Sequence, residues 1–430
     1  MQILVLGGYG LIGSAILRRL VTDGHEVTGL GRSRYKGEAV STQADWVEAD
    51  ISRLTQPADW ANLIAGHDVV VNASGALQSG LKDNVSAVQE TAILALIKAC
   101  ENEGVSQFIQ ISAPGVSESS DTEFYRTKAA ADAALTSSNL ANVIFRPGLV
   151  ISSQAYGGTS LLRMLAAFPL VQPLVYSDTS IKTVWVEDVA NAVSSAIKQR
   201  LPKGDFDLVA DEPVTLGGTV SAFRAWLGFR PAKAILSFPV ILSALIAKGA
   251  DIAGWLGWRS ALRTTSLKVL AKGIEGDCAR WENCSGQRLR TLGETLNAIP
   301  ATAQERVYAR TMLAFPFLLI TLSLFWIASG LIGLWQVDAA RAILGDQLPP
   351  TVSSGFVLGG ATADIMIGLC LLVRPWTRIA ALASIGLSIG YLIGSAVITP
   401  HLWADPIGPM VKVFPAMALA VAIAAMAETR

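Results

Sequence analysis

Charge is what the last third of this chain lacks. From Thr311 to Val337 no residue is charged. Residues 311–427 hold only Asp338, Arg341, Asp346, Asp364, Arg374, Arg378, Asp405 and Lys412, too few to solvate a soluble domain of that size. Histidine is scarce too: His25, His67 and His401 stand far apart in the sequence, so no metal centre is expected. The cysteines, Cys100, Cys278, Cys284 and Cys370, form no CxxC pair and are expected to be reduced structural thiols. The 34 basic and 34 acidic residues cancel, so the chain carries no electrostatic footprint for nucleic acid. Met1-Gln2 leads straight into an apolar strand, without the basic region or cleavage site of a secretory leader. The soluble part is therefore expected in the cytoplasm.

What is present falls into three stretches. Residues 1–150 alternate short apolar runs with helical patterns, the signature of a doubly wound parallel α/β sheet of the Rossmann kind. Strands are expected over Ile3–Leu6, Glu26–Leu30, Trp46–Glu48, Val69–Asn72, Gln107–Ile111 and Asn142–Arg146. Helices are expected over Leu11–Thr22, Val85–Glu103 and Phe124–Ser137. Residues 151–300 mix helix, strand and loop and are expected to form the lobe that closes over a ligand.

Within that lobe, residues 237–258 are apolar but broken by Lys248, Asp251 and glycines. The charge cost at mid-bilayer argues against a span there. A helix lying in the membrane interface, with Trp255 and Trp258 at headgroup level, and an ordinary packed helix both remain open.

Residues 311–427 are expected to form an all-α bundle of four transmembrane helices: Met312–Trp335, Gly355–Val373, Ile379–Ile398 and Val411–Ala427. Arg306 and Arg310 precede the first span, and Arg374 and Arg378 flank the loop between the second and third. The other loops carry Asp338, Arg341 and Asp346, then Asp405. The basic excess leads us to expect the amino-terminal domain and the Arg374 loop on the cytoplasmic side of a bacterial inner membrane, and four spans would return Arg430 to that side. Asp364 falls inside the second span, where a carboxylate costs several kcal/mol unless paired, protonated or wetted. Lys412 and Arg341 are its candidate partners, and a cavity-lining role and a structural pair remain equal alternatives.

Gly7-Gly8-Tyr9-Gly10-Leu11-Ile12-Gly13 follows a strand and opens a helix, the context a dinucleotide-binding loop needs. Gly7 serves the tight turn, Gly10 the approach of a pyrophosphate, and Gly13 the packing of helix on strand. The phosphates would sit on the helix amino terminus, with Tyr9, Leu11 and Ile12 around them. The second strand ends at Leu30-Gly31-Arg32-Ser33-Arg34, where no carboxylate is offered to ribose hydroxyls. Arg32 can pair with a 2′-phosphate, which favours NADP, with NAD as the alternative. Asp50-Ile51 is placed for the adenine edge, and Asn72-Ala73 for the turn after the fourth strand.

These residues resemble the atypical short-chain dehydrogenase/reductase superfamily of the extended, epimerase-like kind, from residue 1 to about 300. The likeness includes the glycine triplet, Asp50-Ile51, Asn72-Ala73-Ser74-Gly75, Arg146-Pro147-Gly148, Val186-Glu187-Asp188-Val189-Ala190 and Thr291–Leu296. The carboxy-terminal bundle resembles the DoxX-like membrane family, and the whole chain resembles bacterial proteins that fuse the two. The resemblance implies a catalytic Tyr four residues before a Lys, the ammonium lowering the phenol pKa and holding the nicotinamide ribose. Here Lys128 is preceded at that distance by Phe124, and Tyr125 stands one residue too close. Either the helix is locally reset so that Tyr125 serves, or the usual acid is missing. The family's hydrogen-bonding hydroxyl is offered by Ser112, although Ala113 aligns with that position.

Tyr125, Lys128 and Ser112 are thus the catalytic candidates. Lys128 also belongs to the cofactor-binding set with Gly7, Tyr9, Gly10, Leu11, Ile12, Gly13, Arg32, Asp50, Ile51, Asn72 and Ala73. Two functions remain in play. One is an NADPH-dependent oxidoreductase passing hydride to a lipophilic acceptor, a quinone or lipid-like carbonyl, at a lipid membrane. The other is a non-catalytic NADP(H)-binding sensor or assembly module on a membrane anchor.

Overall fold

The computed structural model describes residues 1–77, 79–80, 84–258, 260, 262–345 and 349–427. Asp346 and Arg430, used above for topology, lie outside the described residues. Two compact units divide the chain: Met1–Gly254 with Arg259–Arg306, and Trp255–Trp258 with Val307–Arg430.

The first unit is built on seven strands, β1 (Gln2–Leu6), β2 (Glu26–Gly31), β3 (Asp45–Glu48), β4 (Val69–Asn72), β5 (Gln107–Ile111), β6 (Ala141–Pro147) and β7 (Gly204–Leu208). They are ordered β7-β6-β5-β4-β1-β2-β3, and every pairing is parallel. Side chains alternate across a strand, so each one feeds two cores. Ile3, Val5, Val69, Val71, Ile109 and Phe145 pack on one face. That face is covered by α1 (Leu11–Thr22) and by the later helix Val186–Ile197. Leu4, Leu6, Val70, Phe108 and Ile144 pack on the other with Trp60, Leu96 and Leu135. Leu96 belongs to α2 (Ala92–Glu103) and Leu135 to α3 (Glu123–Ser137). Near-continuous Val/Ile/Leu runs are what a strand buried on both faces requires.

The six expected strands all occur, within a residue or two at their ends. β7 was not foreseen, because Gly-Asp-Phe-Asp-Leu offers only Phe206 and Leu208 to a core. The helix expected over 85–103 is also different. A π turn, Ala87–Thr91, precedes α2 and places Gln89 in the interior. Residues 237–258 resolve into α4 (Val240–Trp255), after the Val186–Ile197 helix in chain order. Ile241, Leu245, Ile252 and Trp255 on it are all exposed by more than half.

In the second unit three helices are long and apolar enough to cross a membrane: α5 (Ala303–Trp335), α6 (Pro350–Leu372) and α7 (Thr377–Ile398). The expected fourth span is shorter: α8 (Val413–Met426) has 14 residues. At 1.5 Å per residue that is about 21 Å, short of a roughly 30 Å hydrocarbon core. Leu322, Trp326, Leu371, Ala381, Ala420 and Ile423 form its interior. Phe317, Leu324, Ile379 and Ile393 face outward, as lipid-facing side chains must.

The loop ending at Trp258 belongs to this unit. Trp258 Nε1 donates to the Leu372 carbonyl at 2.7 Å, and the Arg374 guanidinium lies 5.3 Å from its ring. The sequence offered Lys412 and Arg341 as partners for Asp364; neither is one. Arg341 lies 3.5 Å from Asp338, and the Asp364 carboxylate instead receives hydroxyls from Ser329 and Tyr391.

Candidate functional site

Strand order reverses between β4 and β1, and ligands of open α/β sheets bind at the carboxyl ends of the strands there. Gly7 leaves β1 at φ +69°, and a Cβ on it would lie 2.9 Å from the Ala73 carbonyl oxygen. The Gly7 N–H donates to Leu30 O at 3.0 Å and the Ala73 N–H to Leu6 O at 3.1 Å, so the ends of β1, β2 and β4 are tied together. A Cβ on Gly13 would fall 2.2 Å from Gly7 O. Only glycine lets α1 start this close to the strand. Gly10 caps α1, and no side chain bonds to that terminus. Its first-turn N–H groups, at Leu11 to Gly13, are therefore oriented for an anion. A pyrophosphate fits this cradle.

Tyr9 closes one side of the loop. Its hydroxyl accepts the Arg32 N–H at 3.1 Å, and its ring covers Gly31 so closely that a Cβ there would lie 2.3 Å from it. The Arg32 backbone is pinned, while its side chain is exposed. A carboxylate that the sequence reading missed stands near: Glu48 Oε2 accepts the Arg34 N–H at 2.9 Å. The signal was the register, which pairs Gly31 with Glu48. Asp50 Oδ1 accepts the Ser52 N–H at 3.1 Å, while Ile51 turns into the core beside Trp60. Asn72, at the end of β4, donates to Gln110 Oε1 at 2.8 Å and accepts the Ser74 N–H at 3.0 Å. That fixes the Asn72–Gly75 turn.

Lys128 comes to the same place from α3. It is buried, its Nζ donates to Ile111 O at 2.8 Å, and a Cβ on Gly75 would lie 3.8 Å from that nitrogen. Burial brings its pKa down from 10.5 to about 8, opposed by the nearby Asp132 carboxylate. α3 runs unbroken from Glu123 to Ser137, so no local reset occurs. Phe124 is the ring that faces the ammonium, 5.9 Å from centroid to Nζ. Tyr125 is buried against Phe124, and burial pushes its phenol up. Ser112 is directed elsewhere, its hydroxyl donating to Asp132 Oδ2 at 2.6 Å.

Two groups escaped the sequence reading. Gln89, from the π turn, donates to Ala76 O and accepts the Thr127 hydroxyl at 3.2 Å, joining the turn after β4 to α3. Asp132 links Ser112 to Arg146, whose Nε lies 3.8 Å from Oδ2. Burial raises the Asp132 pKa, against the lowering by Ser112, Lys128 and Arg146. Its Oδ1 is buried with no hydrogen-bond partner among the described residues, and Asp132 lines a groove of about 450 Å³ with Glu118, Thr136 and Arg146. The structure thus brings Gly7–Gly13, Asn72, Ala73 and Lys128 to one strand end. The Ser112 hydroxyl is taken by Asp132, and Tyr125 is packed against Phe124.

Residues 7–199 match the family described as NAD(P)H-binding, and residues 323–421 match the DoxX-like family. The chain carries an NAD(P)-binding Rossmann domain with short-chain dehydrogenase and epimerase neighbours, fused to a carboxy-terminal DoxX-like membrane domain. It is 25% identical over 217 residues, 46% of its length, to 71% of an uncharacterized chloroplast protein of Arabidopsis thaliana. It is 28% identical over 172 residues to the 2-alkyl-3-oxoalkanoate reductase of Stenotrophomonas maltophilia, 35% of this chain and about half (51%) of that enzyme. The fold is shared with the UDP-glucose 4-epimerase of Thermotoga maritima, solved with UDP-glucose. That match has TM-score 0.54 and 16% identity, over 73% of this chain and 100% of the epimerase.

Proposed function

We propose that the protein is a membrane-bound oxidoreductase that uses NADPH to reduce a lipophilic carbonyl or quinone. The observation that carries this reading is the buried Lys128 ammonium beside the glycine turn at the strand switch, in a chain whose other unit is a DoxX-like membrane domain. A reduced nicotinamide supplies a hydride; the acceptor oxygen then needs one proton. The Gly7–Gly13 loop would hold the pyrophosphate, Arg32 the 2′-phosphate, Asp50 the adenine side, and Lys128 the nicotinamide ribose. With Phe124 facing it, Lys128 is also the group suited to give the proton, because a pKa of about 8 is matched to neutral pH. The reductase relative is named for an alkyl-substituted oxo acid, which fits an acceptor carrying an apolar tail. The exposed apolar face of α4 suits a helix lying in the lipid interface, where such an acceptor would be met. The excess of Arg374 and Arg378 over acidic residues in their loop supports a nucleotide domain on the cytoplasmic side of a bacterial inner membrane.

A second reading, an NADP(H)-binding sensor or assembly module without turnover, is favoured by Phe124 at the acid's place and by the engagement of Ser112 with Asp132. The test uses the full chain in detergent with NADPH and a panel of short-chain quinones, aldehydes and oxo acids. Steady NADPH oxidation that falls about 100-fold in Lys128→Met supports the enzyme. Tyr125→Phe then divides the roles: lost turnover makes Tyr125 the acid, unchanged turnover makes it Lys128. Tight NADPH binding with no acceptor reduced supports the second reading.

A further inference from the structure

A second polar centre lies inside the membrane unit. Asp364 is 4% exposed, and its carboxylate receives two hydrogen bonds of 2.7 Å, from the Tyr391 hydroxyl to Oδ1 and from the Ser329 hydroxyl to Oδ2. Trp326 packs against Tyr391, with ring centroids 6.5 Å apart, and its buried Nε1 has no partner. Tyr391 belongs to a stripe of hydroxyls on one side of α7: Ser384, Ser388, Tyr391 and Ser395 recur at helical spacing, and the three serines are buried. The stripe covers about 16 Å of helix. At its end Ser395 accepts the Trp403 indole N–H at 3.1 Å, in the turn Pro400–Trp403.

No ion pair reaches Asp364 among the described residues. α5 carries no charge between Thr311 and Trp335, and α7 carries only Arg378, in its first turn. α8 itself has none, and Lys412 stands at its cap. The short helix Val337–Leu344 packs against α6, and its Asp338 and Arg341 lie 3.5 Å from each other. Tyr391 is thus the titratable group facing Asp364, beside the neutral Ser329 and Trp326.

The chemistry of these partners decides the role. An Arg or Lys partner would hold the carboxylate ionised. A hydroxyl both donates and accepts, so Ser329 and Tyr391 can donate to the ionised form, and one can turn to accept from the protonated form. Neither state needs the helices to move. The helices are also close: a Cβ on Gly330 would lie 2.4 Å from Ala361 O and 3.1 Å from Asp364 Cβ, and one on Gly360 would lie 3.0 Å from the Tyr391 hydroxyl. A ligand larger than a proton would have to spread this packing.

We propose that Asp364, held by Tyr391 and Ser329, is a reversible proton-binding site, with the hydroxyl stripe of α7 as its route to water. The step is one proton taken from hydronium by the carboxylate and returned to water. The test treats the full-length protein in lipid vesicles with a fluorescent hydrophobic carbodiimide, which reacts with protonated carboxyls in apolar surroundings, and locates the adduct by mass spectrometry. Asp364 is expected to be labelled, with labelling that falls along a single titration as pH rises. Labelling at that position is lost in Asp364→Asn. Tyr391→Phe should keep the adduct and move its titration to higher pH, because one donor to the ionised form is gone. Infrared difference spectra of the unmodified protein should show a protonated carboxyl band titrating in step with the labelling, a readout that holds even if the Asn variant fails to fold. No adduct and no titrating band at any pH at which the protein stays folded would overturn the proposal. So would a titration that matches the exposed Asp338 and ignores Tyr391→Phe.

Discussion

At pH 7 most Lys128 side chains carry a proton, because burial has brought the pKa down only to about 8. The charge disappears as pH rises through that value. Affinity for either pyridine nucleotide, followed by tryptophan fluorescence, should therefore hold below about pH 7 and decline through about pH 8 to 9. In Lys128→Met the same curve should be flat. Arg32 gives a second residue-scale prediction. Replacing it by Ala should weaken NADPH about tenfold or more, the worth of a charge-assisted contact, and NADH by less than about twofold. Equal losses, measured by calorimetry, would remove the 2′-phosphate contact. At this scale the glycines were legible because their spacing is local and their need is steric. Glu48, Gln89 and Asp132 were not, since each acts through a neighbour distant in sequence: β-register for Glu48, the α3 hydroxyl of Thr127 for Gln89, Ser112 for Asp132. The unbroken α3 also shows why a one-residue offset matters: about 100° of helical rotation leaves Phe124, not Tyr125, over the ammonium.

Among the elements, the strands were the easiest to foresee, because runs such as Val69-Val70-Val71 feed both cores at once. β7 was hidden by its two aspartates: Asp205 is drawn to Arg146 and Arg280 at the sheet edge rather than to a core. The π turn was hidden because its helical periodicity differs from its neighbours by only one residue. Close helix approach in the membrane unit yields a further prediction. Gly330→Leu should lower the thermal unfolding midpoint in detergent, by an overpacking cost of about 1–3 kcal/mol. Gly386→Ala should not lower it, since outside its own helix the added methyl meets nothing described within 4 Å and Ala favours the helix. Gly13→Val tests the other unit: its first branch atom would meet Gly7 O, and nucleotide binding should fall about 100-fold or more.

Taken whole, the chain joins a sheet stabilised by two buried layers to helices whose outward faces are apolar. The protein should stay with vesicles through salt and alkaline carbonate washes and be released by detergent alone, as immunoblotting of the fractions would show. Composition carries a mark of this division, since charge thins out after Arg310. The assignment of Trp255–Trp258 was beyond it, because four residues inside the middle stretch of sequence are folded with the last. The backbone accordingly visits the second unit, leaves it and returns. A protease site engineered at Pro300–Thr302 would sever only the final crossing, and an affinity tag on the amino-terminal fragment should still bring the severed helical fragment down with it.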